Sequence, residues 1–145
     1  MIILDTNVVS ELMRGSAASP AVLNWVRGLA EQPVTTVVTR AEILAGVALL
    51  PAGQRRDRIE SVATAAFDTL GVCLPLVPAC AAQYADIVAT RRGIGRPIGA
   101  MDALIAAIAR FSGSALATRD TEDFAHLGLD LVDPYRGDHG EPLPL

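Results

Sequence analysis

Short apolar runs that end on polar residues and give way to helical stretches recur along the whole chain. IIL at 2–4 runs into DTN, VTTVV at 34–38 into TRAEIL, and SALAT at 114–118 into TRDTEDF; CLPLV at 73–77 and LDLVD at 129–133 are shorter relatives. Between them lie segments with helical spacing of apolar residues. Helices are expected over 6–13, from Ser19-Pro20 through Val22, Leu23, Val26 and Leu29, and over 39–50, 54–70, 79–92 and 101–111. Pro20 suits the first helical position after a Ser cap. Pro33 ends its segment, and Pro75 points to an edge position for 73–77. Strands alternating with helices restrict the chain to an α/β fold with a mostly parallel central sheet. The Pro- and Gly-rich tail from about Pro134 reads as irregular.

A length of 145 residues fits one domain over 1–145. Hydrophobic residues make up 51% but aromatics only 4%, so the core must be built from Ala, Leu, Val and Ile. This apolar excess also hints at an oligomer or partner surface. MIILDTN lacks a basic leader, and no run reaches the roughly 18–20 apolar residues of a membrane span. A cytoplasmic protein is expected. Cys73 and Cys80 lack metal-ligand spacing and read as core residues. The net charge of -4 gives no general attraction for nucleic acid, although bound cations invert such a charge locally.

Four acids fall at equivalent places in this pattern. Asp5 ends the first strand, Glu42 and Asp102 lie near helix starts, and Asp120 follows the strand at 114–118. In a parallel sheet, strand C-termini and the following helix N-termini share one edge, where ligands bind. Each acid also has a structural explanation. Thr39-Arg40-Ala41-Glu42 matches a capping box, Asp102 suits the helix dipole, and Asp5 and Asp120 suit caps. The set is harder to explain that way. Asp5 and Asp102 sit among apolar neighbours, where a carboxylate is costly unless paired. The chain has no lysine, and its arginines read as grouped elsewhere, near 55–58, 91–96 and 110. Several oxygen donors without a basic partner suit Mg²⁺ or Mn²⁺.

MIILDTNVVSEL, AEILAGVALLP, PIGAMDALIAAIA and LATRDTEDF, in that order, closely resemble the PIN-domain ribonucleases, and most of all their VapC/FitB toxins. The resemblance runs from residue 2 to about Tyr135. It implies a PIN-like three-layer α/β/α fold and a Mg²⁺- or Mn²⁺-dependent endoribonuclease acting on single-stranded RNA. It also implies a cognate antitoxin with a DNA-binding domain, and we expect a homodimer. By the same resemblance the acids of the site are Asp5, Glu42, Asp102 and Asp120. Many members carry Asn at the Asp120 position and an Asp three residues on, so Asp123 is the alternative fourth ligand. Thr6, Asn7 and Thr118 match positions that brace the site through hydrogen bonds.

Arg91, Arg92 and Arg96 are candidate RNA phosphate contacts, although the first two also suit a helix C-terminus. GIGRPIG follows a helix, not a strand, so it fails as a dinucleotide loop. His126 and His139 lie in no catalytic spacing, and Trp25 and Tyr84 read as packing residues. Two other functions are compatible with these residues: a catalytically silent PIN-like binding module, marked by loss of an acid, and a metal-dependent phosphatase.

Overall fold

The computed structural model describes residues 1–136. Its centre is β1 (Ile2–Leu4). On one side β1 pairs in parallel with β4 (Ala115–Ala117), Ile2 opposite Ala115 and Leu4 opposite Ala117. β4 in turn pairs in parallel with β5 (Leu131–Val132). On the other side β2 (Thr35–Thr36) runs parallel to β3 (Cys73–Leu74). A parallel bridge between Ile3 and Val34 joins the two groups, with Leu4 N 2.8 Å from the Val34 carbonyl. The strand order is therefore 3-2-1-4-5, parallel throughout.

Among the described residues six helices cover this sheet: α1 (Thr6–Leu12), α2 (Pro20–Arg27), α3 (Val37–Ala48), α4 (Gln54–Leu70), α5 (Cys80–Gly93) and α6 (Ala100–Ser112). Alternation along the strands sorts the core into two clusters. Ile3 and Leu116 join Ile87, Ile105 and Ile108 of α5 and α6. Leu4 and Ala117 join Val8, Val22, Trp25 and Phe67 of α1, α2 and α4. The result is the expected three-layer α/β/α arrangement. Ala103, Ala106, Ala107 and Ala109 are all buried in α6. Alanine serves there because it favours helix and fills little space. Gly113, at φ 65°, takes the left-handed conformation that ends α6 and turns the chain into β4.

Several boundaries differ from the sequence expectation, and the strands expected over 73–77 and 129–133 shorten to Cys73–Leu74 and Leu131–Val132. The strand expected over 34–38 stops at Thr36, and Val37 and Val38 open α3. Thr36 is the cap: its Oγ1 accepts from Thr39 N at 3.2 Å. Thr39 is therefore not the N-cap, and Glu42 lies in the second turn of α3 rather than the first. TRDTEDF forms a 3-10 turn over Thr121–Phe124, and a second such turn at Gly15–Ala17 was not anticipated. Pro134–Arg136 form a turn and bend, while the rest of the expected tail, with His139, lies outside the described residues.

Candidate active site at the carboxyl edge of the sheet

β1 and β4 end side by side, with Asp5 N bonded to the Ala117 carbonyl at 2.9 Å. The parallel register thus places Asp5 beside Thr118, 113 residues away in sequence. Asp5 is only 4% exposed. Its Oδ1 accepts from Thr6 N at 2.8 Å, which caps α1, and its Oδ2 accepts from Thr118 Oγ1 at 2.8 Å. Burial raises the Asp5 carboxyl above its usual range; the bonds from Thr118 and Thr6 oppose the rise, and Glu42 and Asp120 add to it.

The residues after Asp5 act as braces. Thr6 Oγ1 donates to Glu42 Oε1 at 2.8 Å and lies 3.0 Å from Thr39 Oγ1. Asn7 Nδ2 reaches Thr118 Oγ1 and Asp120 Oδ2, each at 3.1 Å, and Asp5 Oδ2 at 3.4 Å. Asn7 Oδ1 accepts from Arg119 N at 3.2 Å. One asparagine side chain therefore ties the ends of β1 and β4 together. Thr39, read from sequence as a helix cap, is fully buried beside Thr6 instead.

Asp102 enters from the first turn of α6. Its carboxyl is pushed up to about 6, first by burial, then by the charges of Asp5, Glu42, Asp123 and Asp120. The structure therefore brings all five acids to one locality. Asp120 and Asp123 reach it differently. Asp120 is held by Asn7, whereas Asp123 starts from the 3-10 turn, its N–H bonded to the Asp120 carbonyl at 2.9 Å.

This all-oxygen donor set fits a hard divalent cation by its chemistry. Among the described residues, however, no three Asp, Glu, His or Cys side chains are already gathered around one point. Mutually repelling carboxylates stand apart, with Asp5, Glu42 and Asp120 held by Thr118, Thr6 and Asn7 respectively. The acids also have a basic neighbour that the sequence grouping overlooked. Arg119 Nε lies 4.0 Å from Asp120 Oδ1, and its guanidinium sits 5.2 Å from the centre of the Tyr135 ring. Its position between Thr118 and Asp120 in TRD was the available signal.

The three arginines expected to meet RNA fare differently. Arg91 is 3% exposed, and its guanidinium donates to the carbonyls of Arg96, Glu122 and Ala125 at 2.8–3.1 Å. It pins the loop after α5 to the turn at 121–124 and is not available to a phosphate. Arg92 and Arg96 are exposed, and Arg96 pairs with Glu122 at 3.1 Å.

The description of the PIN domain matches residues 2–129. The chain belongs to the PIN-domain family. This PIN domain is 39% identical over 140 residues to the VapC ribonuclease Y4jK of Sinorhizobium fredii, covering 93% of this chain and 98% of that protein. It is 35% identical to the toxin FitB of Neisseria gonorrhoeae, covering 93% and 99%. The solved structure of FitAB bound to an IR36 DNA fragment superposes with a TM-score of 0.83 at 34% identity, covering 97% of this chain and 100% of that one. No helix of the described residues is long and apolar enough to cross a membrane.

Proposed function

We propose that this PIN domain, taken as one unit over 1–145, is the toxin of a toxin–antitoxin pair. It hydrolyses phosphodiester bonds of single-stranded RNA with Mg²⁺ or Mn²⁺, leaving a 5′-phosphate and a 3′-hydroxyl. The observation that carries this reading is the gathering of four carboxylates, Asp5, Glu42, Asp120 and Asp123, around the half-buried Asp102, whose carboxyl is pushed up to about 6 first by burial and then by their charges. Clustered like charges are costly unless a cation is meant to join them. The naming of the relatives as a VapC ribonuclease and the toxin FitB supports RNA as substrate.

Asp5, Glu42, Asp102 and Asp120 would hold the ion, with Asp123 as a further oxygen donor. The bound ion supplies charge neutralisation at the scissile phosphate and acidifies a water. The protein's own groups do the rest. Thr118 and Thr6 N fix the Asp5 carboxylate, the Thr6 hydroxyl aims Glu42, and Asn7 aims Asp120. Such outer hydrogen bonds set the rotamers of ligating carboxylates. A carboxylate oxygen not engaged by the ion accepts the proton of the attacking water. Arg92 and Arg96 are exposed, Arg96 paired with Glu122, and serve as outer phosphate contacts.

An uncontrolled RNase of this kind would damage its own cytoplasm, so an inhibitor belongs to the system. The DNA-bound FitAB structure supports an antitoxin that carries a DNA-binding domain. A groove between α1, α2 and α4, lined by Leu12, Met13, Val26, Leu29, Val62 and Ala65, suits an amphipathic segment of that partner. Leu44, Leu76, Ile94, Met101 and Phe111 are exposed and leave apolar surface for a second copy, as a homodimer requires. Light scattering should give a dimer at micromolar concentration; a monomer alone would contradict it.

The deciding experiment is cleavage of single-stranded RNA by purified protein. EDTA should abolish it and Mn²⁺ or Mg²⁺ restore it. Full activity in excess chelator would remove the metal. Asp102→Asn should lose several orders of magnitude of kcat/KM while remaining folded.

A further inference from the structure

Among the described residues, Arg119 is the cation that the structure sets directly against the site's acids, and the proposed reaction leaves it without a task. Three features define it. Its backbone is fixed, because its N–H donates to Asn7 Oδ1 at 3.2 Å, between Thr118 and Asp120. Its guanidinium lies over the Tyr135 ring at 5.2 Å, and the Tyr135 hydroxyl is itself anchored to the Asn7 carbonyl at 3.1 Å. Its closest acid is Asp120 Oδ1, but at 4.0 Å, the outer limit of an ion pair, with the side chain 59% exposed. An arginine meant to neutralise Asp120 would form a short, forked contact. Here the guanidinium instead lies over the Tyr135 ring, and the side chain stays largely exposed beside the site.

From this geometry we infer that Arg119 binds a phosphate of the RNA next to the scissile one, and that Tyr135 is the positioning residue that holds its guanidinium in place. The inference rests on the reading of the site as an RNA phosphodiesterase. An RNA strand approaching this edge meets five carboxylates, so a fixed cation at the rim offsets their repulsion of neighbouring phosphates. The guanidinium fork suits phosphate oxygens, and stacking on an aromatic ring reduces the freedom lost on binding. Tyr135 lies in the turn after β5, so the last strand is followed directly by a segment that supports the site.

The test is binding of a fluorescently labelled single-stranded RNA to protein in an Asp102→Asn background with Mg²⁺, followed by steady-state cleavage in the otherwise intact protein. Arg119→Ala should weaken binding about tenfold, the scale of one charge-assisted hydrogen bond. It should also lower the slope of log affinity against log salt by about 0.7, one phosphate on a single strand. Arg119→Lys should fall between, having charge without fork or stacking. In cleavage, KM should rise with kcat little changed, because the contact is equal in ground and transition states. Tyr135→Leu should mimic the loss, while Tyr135→Phe, which keeps the ring but not the bond to Asn7, should restore RNA affinity. A purely structural Tyr135 would lose function in both variants. Unchanged affinity and salt slope in Arg119→Ala, with cleavage intact in the parent, would overturn the inference alone. No RNA binding and no cleavage by the parent protein would remove it together with the reading beneath it.

Discussion

Asp102 shows how one residue can record the purpose of its surroundings. An isolated carboxyl titrates near 3.8, and in the folded protein Asp102 is pushed up to about 6 by burial and four neighbouring carboxylates. Between those values the folded chain holds a proton that the unfolded chain releases. Stability attributable to this group is therefore greatest below 3.8, falls as pH rises through the window, and stays reduced above about 6. Asp5, also raised, acts in the same direction. Asp102→Asn should consequently raise Tm at about pH 7.5, and the gain should shrink toward about pH 4. Added Mg²⁺ should stabilise the parent more than the variant. Equal destabilisation by Asn at both pH values would show that the carboxylate is not strained. The pair Asp120 and Asp123 sets a second residue-scale question. Asp120 is held toward β1 by Asn7, whereas the charge of Asp123 weighs more than that of Asp120 on Asp102. Asp120→Asn should cost more kcat/KM than Asp123→Asn. Their double change should reveal coupling of roughly 0.5–3 kcal/mol, as residues sharing one site do. An inactive Asp123→Asn beside a nearly normal Asp120→Asn would reverse the order.

Among the elements, α3 depends on a cap that local sequence disguises. Thr36, fully buried, accepts from Thr39 N and starts the helix that carries Glu42. Thr36→Ala should cost about 1 kcal/mol, with Thr36→Ser largely neutral, measured as a shift of urea midpoint at constant m. No change in midpoint would mean that α3 starts without it. The same junction marks the limit of what the sequence discloses. Strand and helix order was legible because apolar periodicity changes at each element, and Asp5, Asp102 and Asp120 were legible as strand-end or helix-start acids. The junction at 36/37 was not, because Val37 and Val38 are β-branched and Thr39-x-x-Glu42 imitates a capping box. Tertiary burial of Val38 outweighs its strand preference. Arg91 failed for a related reason. Its place one turn after buried Ile87 marked it as inward-facing, but its acceptors include Glu122 and Ala125, over 30 residues away. Tyr135 finds Asn7 across 128 residues, a contact no local pattern announces.

At the scale of the molecule, the proposed catalytic site and the proposed partner groove occupy different surfaces. The acids sit at the carboxyl edge of the sheet, whereas the apolar groove runs between α1, α2 and α4. α1 belongs to both, since Thr6 and Asn7 brace the acids at its start while Val9 and Leu12 line the groove. On the proposed reading, a partner seated in the groove would be one helix away from the acids. Charges placed in the groove should separate the two functions. Val62 and Ala65 lie on the exposed side of α4, so Val62→Glu with Ala65→Glu should leave the fold intact. Two carboxylates facing an apolar partner segment without counter-charges would be left desolvated and unpaired, which costs several kcal/mol. Co-expression with the neighbouring operon gene, followed by affinity capture of the toxin, should then recover the partner with the parent and not with the double variant. RNA cleavage by the double variant should match that of the parent and should no longer be suppressed when the partner is added. Retention of the partner by the double variant, at parental affinity, would move the docking surface away from this groove.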